Sequence, residues 1–400
     1  MLILICNAGS TSLKFKLWEM PAQQVLAEGR CERVGAENAI FSYARGGHSE
    51  RLDPIPIPDY AAGLSMFLER LTDAEHGALP GLDALDAVGF KTVLSKGHLG
   101  VHILTEEVLD GMRAYMTVAP AHNGPYLQAI EVFTKLLPDI PRVGVFETAF
   151  HRTIPLYKRI FAVPYEWYEK YGIMRMGYHG ASHGYIAEKL TKRGCRRVIS
   201  CHLGGSGSIC AIQDGKSIDN SFGLSLQMGI PNASRTGDTD VYLVPYLLSE
   251  GLTLEEIYEG FGKNGGLKGI SGTSGDMRDI EAALNVDSER AQLALDYYAN
   301  AILNYIGAYY MQLGGLDALA FTGGIGENSA RLRGMVMEKL QHIGVVPDRR
   351  ANARGQGERL ISAPESRVEV HVIPAGEELM VVRETYRTML EARAVARPSR

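Results

Sequence analysis

The chain is poor in the features that mark several protein classes. It has only five cysteines and two tryptophans among 400 residues, and no two cysteines have CxxC spacing. Cys6, Cys201 and Cys210 fall in apolar stretches, so we expect buried reduced thiols rather than disulfides or a metal site. No apolar run is long enough to span a membrane and no N-terminal signal pattern is visible, which predicts a cytoplasmic protein. A net charge of −5 gives no indication of a nucleic-acid partner.

The chain is long enough to form two hydrophobic cores. Its 400 residues are 46% hydrophobic, and this length predicts about two domains. We predict strands over 2–6, 14–17, 25–29, 87–93 and 142–146, and helices over 61–71 and 124–137. After residue 150 the order begins again, with strands over 198–203, 208–213, 216–220 and 318–322 and helices over 241–249, 290–313 and 330–343. Two mixed sheets flanked by helices are expected, followed by a polar glycine-rich loop at 354–358 and a disordered basic tail at 393–400.

The N-terminal segment joins an apolar strand to a turn of small polar residues. Leu2 to Cys6 is followed by the sequence NAGSTS and then by Lys14. Small residues let backbone N–H groups approach a phosphate, the hydroxyls add donors, and the Lys14 ammonium adds a compact positive charge. The segment is not a Walker loop, because GxxxxGK[ST] is absent and the alternation after Lys14 favours a second strand. A phosphate-handling hairpin and an ordinary polar hairpin both fit this segment.

Two later segments also run from an apolar strand into a turn of small residues. Residues 198–212, VISCHLGGSGSICAI, join two apolar strands through His202 and a Gly/Ser turn, and residues 319–328, LAFTGGIGEN, run from a strand into a glycine turn. The chain resembles the acetate kinase family of short-chain acyl kinases, in the acetate and sugar kinase/actin superfamily. The likeness runs from residue 1 to about residue 388. The shared pieces, in order, are NAGSTSLK, APAHN, FETAFH, GYHGASH, HLGGSGS, SRTGD, GISGTSGDMRD, FTGGIGEN and VIPAGEEL.

The resemblance implies a fold and a reaction. The fold is α/β, with two ribonuclease-H-like (actin-like ATPase) domains and a nucleotide cleft between them. Residues 1–147 and a returning C-terminal helix within 376–400 would form one domain, and residues 148–375 the other, with most of the nucleotide site and the dimer interface. The implied reaction is reversible, direct in-line transfer of a phosphoryl group from ATP to acetate, dependent on Mg²⁺, for which Mn²⁺ is an alternative. The expected partners are ATP or ADP, a small carboxylate and a second copy of the chain, without nucleic acid or membrane.

The resemblance also implies roles for individual residues. Phosphoryl transfer needs positive groups around the migrating phosphoryl and a metal held by hard oxygen ligands. Glu147, His179 and Arg235 match catalytic residues, and Asn7 and Glu377 match the residues that orient Mg²⁺, directly or through water. The acyl pocket would comprise Lys91, Val93, Ala121, Tyr178 and Leu226. ATP would be held by Lys14, His202, Leu203, Gly204, Gly205, Ser206, Asp276, Met277, Arg278, Gly324, Ile325, Gly326, Glu327 and Asn328.

These assignments have simpler alternatives. His179 fits a structural histidine, Arg235 a surface salt bridge, and Glu377 the acidic start of a helix. We expect His122 and His183 to be structural. The predicted helix over 290–313 has apolar residues on more than one face, which favours a dimer interface, with internal core as the alternative. Its tyrosines are Tyr297, Tyr298, Tyr305, Tyr309 and Tyr310.

Departures from the family pattern cluster on the acyl side. Lys91 stands where relatives carry an arginine, Glu147 where they carry an aspartate, and Gly205 where they carry an asparagine. Lysine keeps the charge but loses the bidentate fork of arginine, and a longer acid opposite a shorter base indicates a compensating pair. An acid larger or more polar than acetate also fits the pocket, where the family's leucine, phenylalanine and proline are replaced by Ala121, Tyr178 and Leu226.

Three functions therefore remain open. The first is an ATP-dependent kinase of acetate. The second keeps the reaction and changes the acid to propionate, butyrate or a hydroxylated acid. The third is an actin-like, nucleotide-binding regulator with little turnover, because the two catalytic-side positions 91 and 147 are substituted.

Overall fold

The computed structural model describes residues 1–286 and 288–395, except for the side chain of Ala121. The chain forms two units, one of Met1–Ala149 with the stretch that begins at Glu377, and one of Phe150–Gly376. Each unit is built on one sheet, of eight strands in the first and six in the second. Among the described residues, no helix is both long and apolar enough to cross a bilayer.

The first unit carries its sheet between helices. Its strands are β1 (Leu2–Gly9), β2 (Ser12–Glu19), β3 (Gln24–Glu32), β4 (Ala39–Arg45), β5 (His48–Ile55), β6 (Ala87–Phe90), β7 (Val101–Ile103) and β8 (Arg142–Val145). Its helices are α1 (Tyr60–Leu71), α2 (Glu106–Ala114), α3 (Pro120–Leu136) and the C-terminal α15 (Glu377–Val395). The strand order is β5-β4-β3-β2-β1-β6-β8-β7.

Alternating side chains build the core of this unit. Successive residues of a strand point to opposite faces, so Leu13, Phe15 and Leu17 of β2 share one face of the sheet. All three side chains are buried. The Phe15 ring stacks on Phe67 of α1 at a centroid distance of 4.5 Å. Phe133 of α3 packs edge-on against the end of β6, which completes the apolar layer between the sheet and these helices.

The second unit contains the remaining elements. Its strands are β9 (Arg197–Leu203), β10 (Gly207–Gln213), β11 (Lys216–Asn220), β12 (Ala318–Thr322), β13 (Arg359–Leu360) and β14 (Glu369–Val372). Its helices are α4 (Leu156–Arg159), α5 (Tyr165–Tyr171), α6 (Gly180–Thr191), α7 (Leu243–Ser249), α8 (Leu254–Gly262), α9 (Gly266–Ser271), α10 (Met277–Leu284), α11 (Glu289–Leu313), α12 (Gly323–Asn328), α13 (Ala330–Lys339) and α14 (Arg349–Ala353). The strand order is β11-β10-β9-β12-β14-β13.

Two different layers cover the faces of β9 and β10. Odd-numbered residues such as Ile199 and Cys201 join a large apolar core with α11. Even-numbered residues face α6, whose buried positions recur at intervals of three and four, as a helix packed on one side requires. This second layer is apolar near Ile186 and Leu190 and polar at the start of α6, where His183 lies.

The two sheets repeat one topology. Strands β3-β2-β1-β6-β8 and β11-β10-β9-β12-β14 correspond in order, each with an antiparallel meander followed by two strands parallel to the first. The predicted second copy of the same layout is therefore confirmed. The five cysteines are buried and free, as expected.

Several predicted boundaries are wrong. The strand predicted over 87–93 ends at Phe90, because its pairing with β1 and β8 also ends there. The helix predicted over 330–343 ends at Lys339 and is followed by a separate 3₁₀ turn, Gln341–Ile343. Strands β4 and β5 and helix α6 were not predicted at all. Within the tail predicted to be disordered, residues up to Val395 continue α15, and residues 396–400 lie outside the described part of the chain.

Candidate active site

Three parallel strands bring polar residues to one edge of the first sheet. Cys6 pairs with Phe90, and Phe90 pairs with Gly144, so β1, β6 and β8 end side by side. Just beyond these paired positions lie Asn7, which is still within β1, and Lys91 and Glu147, which follow β6 and β8. Because the carboxyl ends of parallel strands meet at the same edge of a sheet, residues distant in sequence gather there.

Lys91 lies between two carboxylates at this edge. Its Nζ is 2.9 Å from Glu147 Oε1 and 2.6 Å from Oε2 of Glu377, the first residue of α15. Burial disfavours the ammonium, but the two carboxylates outweigh burial and raise the pKa of Lys91 well above its ordinary value. The structure thus brings together three predicted site residues in a cluster with one positive and two negative charges.

Asn7 and Lys14 lie on the β1–β2 hairpin. They are directly opposite each other in the antiparallel register, so their side chains share one face. The Asn7 side chain accepts a hydrogen bond of 3.0 Å from the hydroxyl of Tyr126, a buried residue of α3. Lys14 is exposed and lines a depression of about 520 Å³ on the sheet, together with Lys16 and Arg30. The hairpin therefore carries the Asn7 amide, which is fixed by Tyr126, and the Lys14 ammonium, which is exposed.

In the second unit, His179 belongs to a buried group of histidines and serines. It is the residue before α6 and has a left-handed backbone, with φ of 57°. Its ring stacks on His202 at 4.0 Å, and its Nδ1 lies 2.9 Å from Ser208 Oγ. His202 Nδ1 lies 2.8 Å from Ser182 Oγ. The two predicted site histidines are therefore in contact, and each is held by a serine.

Arg235 lies in a loop whose backbone is tightly constrained. Its carbonyl accepts from the N–H of Asn232, and Gly237 has φ of 81° where a side chain would clash with the carbonyl of Gly229. Within the described part of the chain, the guanidinium makes no hydrogen bond or ion pair. Burial lowers the pKa of Arg235 to about 10. A desolvated cation of this kind is suited to binding an anion.

The turn between β9 and β10 opens onto a cavity of about 760 Å³ in the second unit. This volume is within the range of small-molecule sites. Three of the predicted ATP-binding segments contribute to its walls, and the other lining residues are Ala233, Ser274, Gly275, Glu281 and Ser329. The predicted residues in the walls are Gly204, Gly205, Asp276, Met277, Arg278, Gly324, Ile325 and Asn328.

Polar groups at this cavity are set by local capping. Asp276 is the N-cap of α10 and forms an ion pair of 2.6 Å with Arg278, which lowers the pKa of Asp276 to about 2. The buried hydroxyl of Ser206 has no hydrogen-bond partner among the described residues. Open space surrounds the Gly205 position, where family members carry an asparagine. The Gly205 position thus leaves room for a ligand in the cavity, whereas Ser206 is not among the residues that line it.

Other predicted residues lie in positions that limit their roles. Val93 and Leu226 are buried, and the side chain of Leu203 belongs to the apolar core, so only its backbone is available to a nucleotide. The Tyr178 hydroxyl, predicted to make the acyl pocket more polar, donates to the carbonyl of Leu224. The side chain of Ala121 lies outside the described part of the chain.

Gly326 and Glu327 are held within α12 and its surroundings. The carbonyl of Gly326 accepts from the buried Arg333 at 2.8 Å. Burial raises the pKa of Glu327, although N–H groups of Gly323 and Ala375 lower it in part. These contacts fix the shape of the glycine turn that lines the cavity.

Sequence reasoning missed three residues that position predicted site residues, one in the first unit and two in the second. Tyr126 holds Asn7, and Ser208 holds His179. Asn232 joins the Arg235 loop to the β9–β10 turn, because its side chain accepts from the N–H of Gly207 at 2.6 Å. The alternation of β9 and β10 was a usable signal for Ser208, since it places Ser208 on the same face as His202. Tyr126 and Asn232 had no signal in spacing.

The chain matches known proteins over nearly its whole length. A family model described as the acetokinase family matches residues 2–383. Acetate kinase from Geobacillus kaustophilus is 41% identical over 392 residues, which is 96% of this chain and 98% of that protein. The structure of Porphyromonas gingivalis acetate kinase matches with a TM-score of 0.86 and 36% identity, over 97% of this chain and 99% of the other. A Francisella tularensis propionate kinase matches with a TM-score of 0.87 and 32% identity, over 96% and 98%.

These matches agree with the arrangement of the two sheets. The repeated strand order and the similarity to acetate kinase structures confirm the predicted fold class of two actin-like units. The motifs that suggested a phosphotransferase lie at strand ends in the first unit and around the cavity in the second. The chain is therefore a member of the acetokinase family.

Proposed function

We propose that the protein phosphorylates acetate with ATP, reversibly and with Mg²⁺, to give acetyl phosphate and ADP. Relatives that bear the name acetate kinase match almost the full chain, which supports this reaction. The observation that carries the proposal is the guanidinium of Arg235, which has no counter-ion among the described residues and lies in a loop joined to the β9–β10 turn. An anion such as a transferring phosphoryl group supplies the charge that this cation lacks.

The residues of the second unit would bind ATP and stabilise the charge that develops. We assign the cavity of about 760 Å³ to the nucleotide, because three predicted ATP-binding segments line it. Arg235 and His179 would act on the migrating phosphoryl group. Preorganised donors of this type stabilise the transition state of phosphoryl transfer effectively, because they do not have to reorient as the charge moves.

The charge at the edge of the first sheet suits a divalent cation. Glu147 and Glu377 share one ammonium, so the cluster keeps a net negative charge and presents carboxylate oxygens. Asn7 adds an amide oxygen, and Mg²⁺ takes few protein oxygens together with phosphates and water. We propose that Asn7 and Glu377 would hold Mg²⁺, which would neutralise charge on the phosphates.

Lys91 has a different role from that of the arginine in its relatives. Two of its three N–H donors are engaged by carboxylates, so it fixes Glu147 and Glu377 more than it grips the acid. Lys91, Val93, Ala121, Tyr178 and Leu226 stay our proposed acyl pocket. Propionate is the main alternative acid, because a relative named propionate kinase matches the chain over 96% of its length.

An acyl hydroxamate assay with ATP and a panel of acids tests the proposal. We expect turnover with acetate and lower kcat/KM with propionate and butyrate. A preference for propionate would replace the acid and keep the reaction. Mg-ATP binding without turnover on any acid would favour the nucleotide-binding regulator, and no binding of Mg-ATP by calorimetry would contradict both functions.

We further propose that residues 1–147 and 376–400 form one domain and that residues 148–375 form the other. We also propose that two copies of the chain form a homodimer. Of the tyrosines of α11, Tyr298 and Tyr309 belong to the core, whereas Tyr297 is exposed. More exposed apolar surface lies near α7 and α8, at Val241 and Tyr242. Surface of this kind is typical of a protein interface. A monomer in light scattering at micromolar concentration would contradict the dimer. The cytoplasmic location stays a prediction.

A further inference from the structure

A chain of hydrogen bonds runs through the buried face between α6 and the second sheet. Ser200 Oγ lies 2.9 Å from His183 Nδ1, and Ser208 Oγ lies 2.8 Å from His183 Nε2. Ser208 Oγ also lies 2.9 Å from Nδ1 of His179. Ser200, Ser208 and His183 are fully buried. The order Ser200, His183, Ser208, His179 is therefore continuous and shielded from water.

The number of hydrogens limits how this chain can be arranged. The Ser208 hydroxyl carries one hydrogen, and the two ring nitrogens beside it are its only hydrogen-bond partners among the described residues. Its hydrogen therefore goes to one of the two nitrogens, and the other nitrogen donates to its oxygen. Burial, together with nearby His151 and His202, lowers the pKa of His183 well below its ordinary value. His183 is consequently neutral and has a single N–H. All the hydrogen bonds of the chain must then point in one direction.

Ser200 decides between the two directions. His183 is its only side-chain hydrogen-bond partner among the residues that the structure describes. If His183 donated from Nδ1, the hydroxyl hydrogen of Ser200 would be buried without an acceptor, which is costly. In the opposite direction, Ser200 donates to His183 Nδ1, His183 Nε2–H donates to Ser208, and Ser208 donates to His179 Nδ1. The hydrogen of each of these three hydrogen bonds then has an acceptor.

We propose that Ser208 is a positioning residue that holds His179 in the neutral tautomer with its proton on Nε2. The importance of this tautomer rests on the proposed function, in which His179 contacts the migrating phosphoryl group. His179 then offers an N–H donor, and the positive charge of the site comes from Arg235. The stacking of His179 on His202 and its place at the start of α6 set the direction of the ring.

Nitrogen NMR of protein labelled with [¹⁵N]histidine tests the tautomer directly. The His179 signals are assigned by their absence from His179→Gln. In the wild type we expect Nδ1 to be unprotonated and Nε2 to be protonated. In Ser208→Ala we expect proton density on both nitrogens, and Ser208→Thr should restore the wild-type pattern because it keeps the hydroxyl.

Kinetics provide the second measurement. Ser208→Ala should lower kcat about fivefold with KM for ATP and acetate within twofold, since the hydrogen bond to His179 is lost and binding is kept. The matched control is Ser217→Ala, because Ser217 is equally buried and bonds His151 Nδ1 at 2.8 Å outside this chain. The control should leave the His179 signals unchanged.

Two results would overturn the inference. One is a protonated Nδ1 of His179 in the wild type, and the other is an unchanged tautomer in a folded Ser208→Ala variant. If that variant does not fold, the wild-type spectrum alone decides. If no acid is phosphorylated, the proposed function fails, but the spectra still report the tautomer.

Discussion

The two units repeat one strand order but carry opposite electrostatic arrangements at corresponding strand ends. In the first unit, charges at the ends of β6 and β8 compensate each other through Lys91, Glu147 and Glu377. In the second, buried histidines and serines surround the end of β9, and the cation of Arg235 has no counter-ion among the described residues. The same topology thus supports a cluster of paired charges in one unit and a network of histidines and serines beside an unpaired charge in the other.

This difference distinguishes charged side chains that stabilise the fold from a charged side chain that is available to bind a ligand. Removing one member of a buried ion pair strands its partner and is strongly destabilising. Removing an uncompensated, desolvated cation relieves a cost of folding and leaves stability intact or higher. We therefore expect changes in the first cluster to affect stability and changes at Arg235 to affect activity.

The largest effect is expected for Lys91→Met. This change leaves Glu147 and Glu377 without their shared counter-ion and should lower the free energy of unfolding by about 3–5 kcal/mol, measured by denaturant titration. Lys135→Met is the matched control, because it removes an exposed ion pair of 2.8 Å with Glu131. The control should cost less than about 0.5 kcal/mol. Equal losses in both variants would remove the distinction between the units.

Arg235→Met should have the second largest effect, on turnover. We expect kcat in the hydroxamate assay to fall by roughly 10²–10³, because the guanidinium acts on charge that develops in transfer. The melting temperature should stay constant or rise. A clear loss of stability would mean that Arg235 is compensated by contacts within the protein, and the contrast with Lys91 would disappear.

The pH dependence of stability should report the buried neutral histidines. Burial lowers the pKa of His151 to about 4, from its ordinary value of about 6.5 in the unfolded chain. The unfolded chain then binds more protons below pH 6.5, so stability is full above this pH and falls as the pH decreases toward the folded pKa. From pH 7 to pH 5 the wild type should lose about 2 kcal/mol more than His151→Gln. An identical pH slope in both proteins would show that His151 does not contribute.

The smallest effect concerns the pairing of Lys91 with Glu147. Lys91→Arg and Glu147→Asp should each reduce kcat/KM, because each changes the space between groups that are 2.9 Å apart. The double variant should recover activity and shift preference toward acetate, with a coupling of about 0.5–3 kcal/mol. Additive effects in this double-mutant cycle would mean that the two substitutions are independent, and the regulator hypothesis would gain support.

Much of the fold follows from local patterns. Alternation in β2 predicted that strand, since a half-buried strand needs apolar residues at every second position, and an apolar stretch predicted β9, which is buried on both faces. Helix α6 escaped prediction because its first residues, GASHG, are poor helix formers and its buried start is polar. Tertiary packing against β9 stabilises that helix despite its low propensity.

The site was predictable in part. Motifs suggested Lys91, Glu147 and Arg235, and the parallel register of β6 and β8 explains why the first two meet. Tyr126 gave no signal because its contact with Asn7 spans 119 residues and depends on how α3 packs on β1. A hydrogen bond between distant segments leaves no periodicity in either of them.

By itself, the sequence determined the family, the repeated α/β layout and the identity of the charged side chains. These properties depend on short segments, in which residue type and spacing suffice. Only the tertiary structure decided that Lys91 is shared by two carboxylates, that Arg235 lacks a counter-ion in the described part of the chain, and that Ser208 connects two histidines. The physical reason is that compensation and desolvation depend on distances of a few ångströms between residues that are far apart in the chain, and strand register and helix packing set those distances.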